Sequence, residues 1–174
     1  KDTFAHITNY SVQKYSKSFS LYEIGNEISY DQFQASIKKS CSNKKSFRED
    51  ILPLIYNIIK ISFFSVYKKL KVEESISTFE IFGYDFLFDE NLNPFLIEIN
   101  TNPGYELSSP LISIILPRMI EDALRLTVDD VFPTQYTFNN QVVDKDNYKS
   151  PFPVEGYSEK ESIWELIGNL RDGR

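Results

Sequence analysis

Asp85, Glu98 and Asn100 are the residues of this sequence whose types and spacing best suit a common chemical task. They lie in FEIFGYDFLFDENLNPFLIEIN, residues 79–100, where two aromatic and aliphatic runs flank the polar break Asp89-Glu90-Asn91-Leu92-Asn93. That pattern predicts a β-hairpin. With Asp89 opposite Pro94, Leu87 faces Leu96, Asp85 faces Glu98 and Gly83 faces Asn100. Strand side chains alternate between faces, so Asp85, Glu98 and Asn100 share one. Two facing anions repel, and a hard divalent cation relieves the cost. Carboxylate and amide oxygens are ligands that Mg²⁺ accepts, its other positions going to water and phosphates. Gly83 would leave open space beside the cluster. Two other readings stand. One is an edge hairpin whose acids face solvent, against which the apolar neighbours argue. The other is a carboxylate pair for glycoside hydrolysis, which needs an acid of raised pKa and offers Asn100 no role.

Helices must hold such a hairpin, and the sequence offers three. Ser29-Tyr30-Asp31-Gln32 has the form of a capping box opening a helix to about Lys39. From Asp50 to about Leu70, Ile51, Leu54, Ile55, Ile58, Ile59, Ser62 and Phe63 recur at helical spacing, with Pro53 tolerable in the first turn. This stripe is expected to be core packed behind the hairpin. Ser109-Pro110 starts a third helix with Ile112, Ile115, Leu116, Met119, Ile120, Ala123 and Leu124 as its buried stripe, which Pro117 should kink or split. Before these, Phe4 to Tyr10 reads as a short strand, in which the lone histidine, His6, is a core or supporting residue rather than a catalyst. Residues 11–27 read as a long irregular loop with a turn at Gly25-Asn26. Thr101-Asn102-Pro103-Gly104 is a further turn. From about Thr134 the apolar pattern fades into a loosely held tail. Only residues 162–170, around Trp164, keep helical spacing there.

At 174 residues, 41% hydrophobic and 15% aromatic, the chain is about one domain long and can bury a core. The single Cys41 rules out an internal disulfide and fits a reducing, intracellular setting. No signal peptide is visible. The most apolar run, residues 51–67, is broken by Pro53, Asn57 and Lys60, which suits a buried helix better than a membrane span. Charge is uneven: residues 1–75 carry 12 Lys/Arg against 8 Asp/Glu, and residues 76–174 carry 7 against 17. Lys38, Lys39, Lys44, Lys45 and Arg48 cluster around one loop, and Lys68, Lys69 and Lys71 around another. These are solvated loop charges or a patch that steers an acidic substrate. An overall acidic chain without a recognised motif is a poor nucleic-acid binder.

HITNYSVQKYSKSFSLYEIGNEISYDQF, followed by FEIFGYDFLFDENLNPFLIEINTNPG and by VDDVFP, resembles the C-terminal part of the tubulin tyrosine ligase family, whose fold is the ATP-grasp. The resemblance runs from about residue 5 to 133. It implies an α+β chain, the C-terminal portion of an ATP-grasp fold, with a mainly antiparallel sheet around a hairpin at about 79–100 packed by helices. Residues 1–133 would form the ligase part and 134–174 a C-terminal tail. The loop from Gln13 to Glu27 is similar to tubulin tyrosine ligase proper, whereas Asn100-Thr101-Asn102-Pro103 is similar to the polyglutamylases and glycylases.

The resemblance also implies roles. Asp85, Glu98 and Asn100 match the residues that bind Mg²⁺ with ATP, and Thr8 and Asn9 match contacts to the nucleotide phosphates. Tyr10, Ser11 and Thr101 are weaker matches for the amino-acid substrate. The implied reaction is ATP-dependent: a tubulin carboxylate becomes an acyl phosphate, and the amino group of a free amino acid attacks it. Tyrosine addition is the first expectation, with glutamate or glycine addition, or a truncated tubulin-binding remnant, as alternatives. A small-molecule ligase of the same fold would lack the HITNYS and loop motifs. Tubulin, with its acidic C-terminal tail, is the implied partner, and neither nucleic acid nor membrane is. The implied setting is cytoplasmic and microtubule-associated, in the cytoskeleton or in cilia. The chain begins after the family's first half, so on its own it is expected to be an incomplete active site.

Overall fold

The computed structural model describes residues 2–40, 45–70, 78–132, 136–138, 141–143 and 148–169. It has five α-helices and two antiparallel hairpins among those residues. Lys44 and Lys71 of the basic clusters, and Cys41, lie outside them. The expected α+β class is observed.

The strand expected over Phe4 to Tyr10 is not there. Its place is taken by two single-turn helices, α1 (Thr3–His6) and α2 (Tyr10–Gln13). Side-chain capping decides this locally: Asp2 accepts from the Phe4 amide at 3.0 Å, and Asn9 accepts from the Ser11 amide at 2.8 Å. The Gln13 amide then donates to the carbonyls of Phe4 and Ile7, closing the segment on itself. Asx caps outweigh the β propensity of a run this short.

The capping box forms. Gln32 Oε1 accepts from the Ser29 amide at 2.7 Å and Ser29 Oγ accepts from the Gln32 amide at 3.3 Å, and α3 follows over Tyr30–Ser40. A π-helical turn, Phe47–Ile51, opened by Ser46, leads into α4 (Leu52–Val66). Pro53 sits in the first turn of α4, where its missing N–H costs nothing. The core joins these elements to the hairpin: Ile37, Phe47, Ile51 and Leu92 are buried together, with Phe33, Leu52, Ile55 and Phe88 against them. Phe33 meets both the Phe47 and the Phe88 rings with centroids 5.6 Å apart. Most of α4 lies outside that core. Over the helical run Phe47–Lys69, which is long and apolar enough by length and composition to cross a membrane, only 6% of the most apolar stretch is buried. The expected fully buried stripe is thus corrected to a half-covered one, in which Leu54 is exposed.

β1 (Gly83–Phe88) and β2 (Pro94–Asn100) pair antiparallel. Gly83 is opposite Asn100 and Asp85 opposite Glu98, as expected, but Leu87 faces Phe95 and Phe88 faces Pro94. A bulge between the Asp85 and Phe86 pairs makes the difference, with Ile97 as the extra residue of β2. The turn is therefore one residue longer than the pairing of Asp89 with Pro94 assumes. It is built on Asp89, whose Oδ1 accepts from the amides of Asn91 and Asn93 at 2.9 and 2.7 Å. Those amides, Asn93 first, hold the Asp89 carboxyl below its usual range.

α5 (Pro110–Val131) starts as the Ser-Pro signal predicts, Ser109 Oγ accepting from the Ile112 amide. It runs unbroken through Pro117, so the predicted split does not occur. A proline removes one hydrogen bond and crowds the preceding turn, and packing along the later turns offsets this. Those turns hold the least exposed charges described, Arg118 at 0% and Asp122 at 1%. Arg118 Nε binds Asp122 Oδ2 at 2.8 Å, and its other nitrogens donate to the carbonyls of Phe152, Ser158 and Glu161. The tail is accordingly docked over residues 148–169. It contains no helix over 162–169, and residue 170 lies outside the described residues. The Ile163 amide donates to Asp122 Oδ2 of α5 at 2.9 Å and the Trp164 amide to Ser162 Oγ at 3.0 Å, bonds to side chains in place of a helical ladder. A short hairpin, β3 (Tyr136–Phe138) with β4 (Gln141–Val143), precedes it.

Candidate functional site

The hairpin brings Asp85, Glu98 and Asn100 together on one face. Asn100 Nδ2 donates to Asp85 Oδ2 at 3.2 Å and reaches Glu98 Oε1 at 3.4 Å. Partial burial, then the hydrogen bond and negative charge of Glu98, push the Asp85 carboxyl above its usual range, while the Asn100 amide pulls the other way. Such a pair favours a proton or a cation between its oxygens. Both carboxylates are exposed, so the face is open to solvent, as the edge-hairpin reading expects. The donor set is all oxygen, which suits Mg²⁺ or Ca²⁺ rather than a soft metal. No group of three or more His, Cys, Asp or Glu residues of metal-binding geometry occurs among the described residues.

Gly83 does not leave open space there. A Cβ at this position would stand 3.2 Å from Pro103 Cβ and 3.7 Å from Asn100 Cβ. Pro103 of the 101–104 turn folds into the gap that the glycine makes. Leu87 and Phe95 continue the same face and are also exposed.

The other sequence candidates lie on the α1–α2 segment and the 101–104 turn. Thr8 and Ser11 are exposed, Asn9 is occupied as the cap of α2, and Tyr10 is half-buried against Phe19, centroids 5.7 Å apart. Among the described residues no hydrogen bond joins Thr8, Asn9, Tyr10 or Ser11 to the hairpin. Thr101 follows Asn100 directly and is exposed.

Two polar anchors escaped the sequence reading. Glu27 accepts from Ser108 Oγ at 2.9 Å and from Ser109 Oγ, fastening the 11–27 loop to the start of α5 across 82 residues of sequence. Gly25, at φ +73°, packs there so closely that a Cβ would fall 2.9 Å from Ser109 Cβ. Local sequence holds no sign of this contact. For Arg118 and Asp122 a sign existed: an i, i+4 charge pair set beside Met119 and Ala123 of an apolar stripe.

The sequence profile described as "Tubulin-tyrosine ligase family" matches residues 1–137. Tubulin glycylase 3D of Tetrahymena thermophila is 33% identical over 129 residues, 72% of this chain and 12% of that protein. Tubulin glycylase 3B of the same organism is 28% identical over 160 residues, 92% of this chain and 13% of the relative. Tubulin polyglutamylase ttll-5 of Caenorhabditis elegans is 28% identical over 131 residues, 71% of this chain and 18% of the relative. The chain thus spans less than a fifth of the length of each of these proteins.

Proposed function

Because the chain belongs to the Tubulin-tyrosine ligase family, we propose that it is the part of a tubulin amino-acid ligase that binds Mg²⁺ with ATP through Asp85, Glu98 and Asn100. The observation that carries this is the Asn100 amide lying within hydrogen-bonding distance of both carboxylates on one strand face. Burial first, and then the bond and charge of Glu98, raise the Asp85 pKa, and a cation between the two carboxylates would relieve that cost. Mg²⁺ with ATP, when bound, would supply charge neutralisation at the transferring phosphoryl group. The chain's own residues hold the oxygen donors in register, Asp85 opposite Glu98 and Gly83 opposite Asn100. No residue here need act as a nucleophile. On this reading the hairpin and its helices are the C-terminal portion of an ATP-grasp fold, residues 1–133 are the ligase part, and 134–174 are its tail. Thr8 and Asn9 are assigned to nucleotide phosphates, and Tyr10, Ser11 and Thr101 to the amino-acid substrate.

Glycine or glutamate is better supported than tyrosine as the amino acid added. The relatives described above are named for glycine and glutamate ligation, and the Asn100-Thr101-Asn102-Pro103 segment agrees with them. The tyrosine expectation rested on the 13–27 loop alone. The acidic tubulin tail would be drawn to the basic first 75 residues, an attraction that should weaken as salt rises. A microtubule-associated, cytoplasmic setting goes with that substrate. Mass spectrometry of tubulin incubated with the complete protein, ATP and each of the three amino acids tests the proposal. Added glycine or glutamate is the expected product, and tubulin unmodified under all three conditions would overturn it.

A further inference from the structure

The docked tail lies behind the strand that carries Asp85. Trp164 Nε1 donates to the Met119 carbonyl of α5 at 2.9 Å, and one residue later Glu165 accepts from the Tyr56 hydroxyl of α4 at 2.6 Å. Burial, then the bond to Glu165, pushes the Tyr56 pKa upward, so the hydroxyl keeps its proton and remains a donor. Two residues further on, Ile167, Gly168 and Asn169 close one side of a cavity of about 240 Å³ whose other walls include Phe63 of α4 and Tyr84 of β1. Tyr84 also meets Ser62 of α4, oxygen to oxygen, at 3.2 Å. Alternation along β1 puts Tyr84 on the face opposite Asp85.

We propose that residues 148–169 are a latch that ties α5 to α4 and thereby positions β1 from behind, with Arg118 as the buried catch, Tyr56–Glu165 as the link to α4, and Ser62–Tyr84 as the contact from α4 to the strand. The catch is built for this: the guanidinium of Arg118 joins Asp122 on its own helix to three carbonyls of the tail. An arginine with no exposure is tolerated only when its donors are so satisfied. The latch lies beyond residues 1–137, the span matched by the family profile. Leu166, between Glu165 and the cavity wall, is 87% exposed. The hold on β1 passes from Glu165 to α4, whose Ser62 meets Tyr84, and through the cavity walls. A two-stranded hairpin is marginal by itself, so its order depends on what backs it. The consequence for Asp85 rests on the metal reading given above, while the mechanical link does not.

Amide hydrogen exchange and Mn²⁺ binding by water proton relaxation, both on the whole chain, test this with Trp164→Phe and Glu165→Ala. Each removes one link and leaves the Arg118 catch in place. Exchange across Gly83–Phe88 should accelerate about tenfold and Mn²⁺ affinity should fall, with helix content by circular dichroism unchanged. Unchanged protection of Gly83–Phe88 alongside faster exchange at 163–165 would overturn the latch. If either variant fails to fold, Tyr56→Phe, which deletes only the hydroxyl, replaces it with the same expected and contrary results. A wild-type chain that binds no Mn²⁺ but still shows the exchange response keeps the latch and removes the metal reading.

Discussion

Asn100 Nδ2 stands 3.2 Å from Asp85 Oδ2, across the pair of strands from which both residues project. The contact is a consequence of register. Asp85 and Glu98 face each other because Ile97 is extra, and Asn100 follows two residues on along the same face. Without the bulge, the observed pairing of Phe88 with Pro94 would carry through to set Asp85 opposite Ile97, and the acids would part. Deleting Ile97 removes the extra residue and lets Glu98 follow Leu96 directly, so Asp85 stays opposite Glu98 and the deletion variant is expected to keep its cation affinity, which Mn²⁺ titration checks. Lost affinity would show that the bulge itself, and not only the opposition of Asp85 to Glu98, shapes the site.

Asp85→Asn tests the electrostatics. The folded-state pKa of Asp85 lies above the usual value, so the fold binds the proton more tightly than the unfolded chain does. Stability from this group is greatest at acid pH and is lost as pH rises through the folded pKa. At pH 7 without metal, Asp85→Asn should be the more stable protein, by less than about 1 kcal/mol because the site is exposed and screened. The difference should vanish below the ordinary carboxyl range, about pH 4. Melting temperatures at the two pH values decide it, and a variant less stable at pH 7 would contradict the repulsion.

Arg118→Met addresses the catch. It leaves Asp122 buried without its guanidinium, Arg125 being the nearest remaining cation at 3.6 Å from Oδ1. Oδ1 already lacks a hydrogen bond among the described residues. Removing one partner of a buried pair costs about 3–5 kcal/mol. Denaturant unfolding should show a loss of that size, partly restored by Asp122→Leu in the same chain, since deleting both charges is far cheaper than deleting one. No restoration would mean that Arg118 matters through its bonds to the tail carbonyls and its packing rather than through Asp122.

Gly25→Ala probes the loop anchor. The backbone there is left-handed and the new methyl would meet Ser109 at 2.9 Å, so strain and steric overlap act together, at about 1–3 kcal/mol. The expected signature is local: faster exchange over residues 20–27 and at the start of α5, with the α3–hairpin core unaffected. A neutral effect would show that loop and helix separate easily.

The sequence showed best what local rules decide. The Ser29–Gln32 capping box, the Ser109-Pro110 helix start and the opposition of Asp85 to Glu98 follow from spacing over a few residues. What it hid depends on distant partners. The β-prone Phe4–Tyr10 run became two helical turns because Asp2, Asn9 and Gln13 offered side-chain bonds that a propensity count ignores. The tail looked loose because its own pattern is weak, yet its carbonyls are the ligands of Arg118, more than 30 residues earlier. The exposed stretch of α4 reads as core by composition, and no described element covers it. Even the correct pairing of Asp85 with Glu98 came from a turn set one residue too short and a bulge not foreseen, two offsets that cancel.

Glu98→Gln in the complete protein bears most directly on the proposed function. The change keeps size and strand propensity and removes one charge that a cation would need. If Mg²⁺ at this face supplies several kcal/mol of transition-state stabilisation, loss of one carboxylate ligand should slow amino-acid incorporation into tubulin by about 10²-fold or more, roughly 3 kcal/mol. The melting temperature without metal should hold or rise, because the Glu98 charge, which with burial raises the Asp85 pKa, is gone. A solvent-facing acidic hairpin with no metal predicts the same melting behaviour but unchanged turnover. Incorporation assayed by mass spectrometry alongside thermal unfolding separates the two. A folded Glu98→Gln protein that keeps more than about a tenth of wild-type turnover, a difference within roughly 1.4 kcal/mol, would take Glu98 out of the metal site.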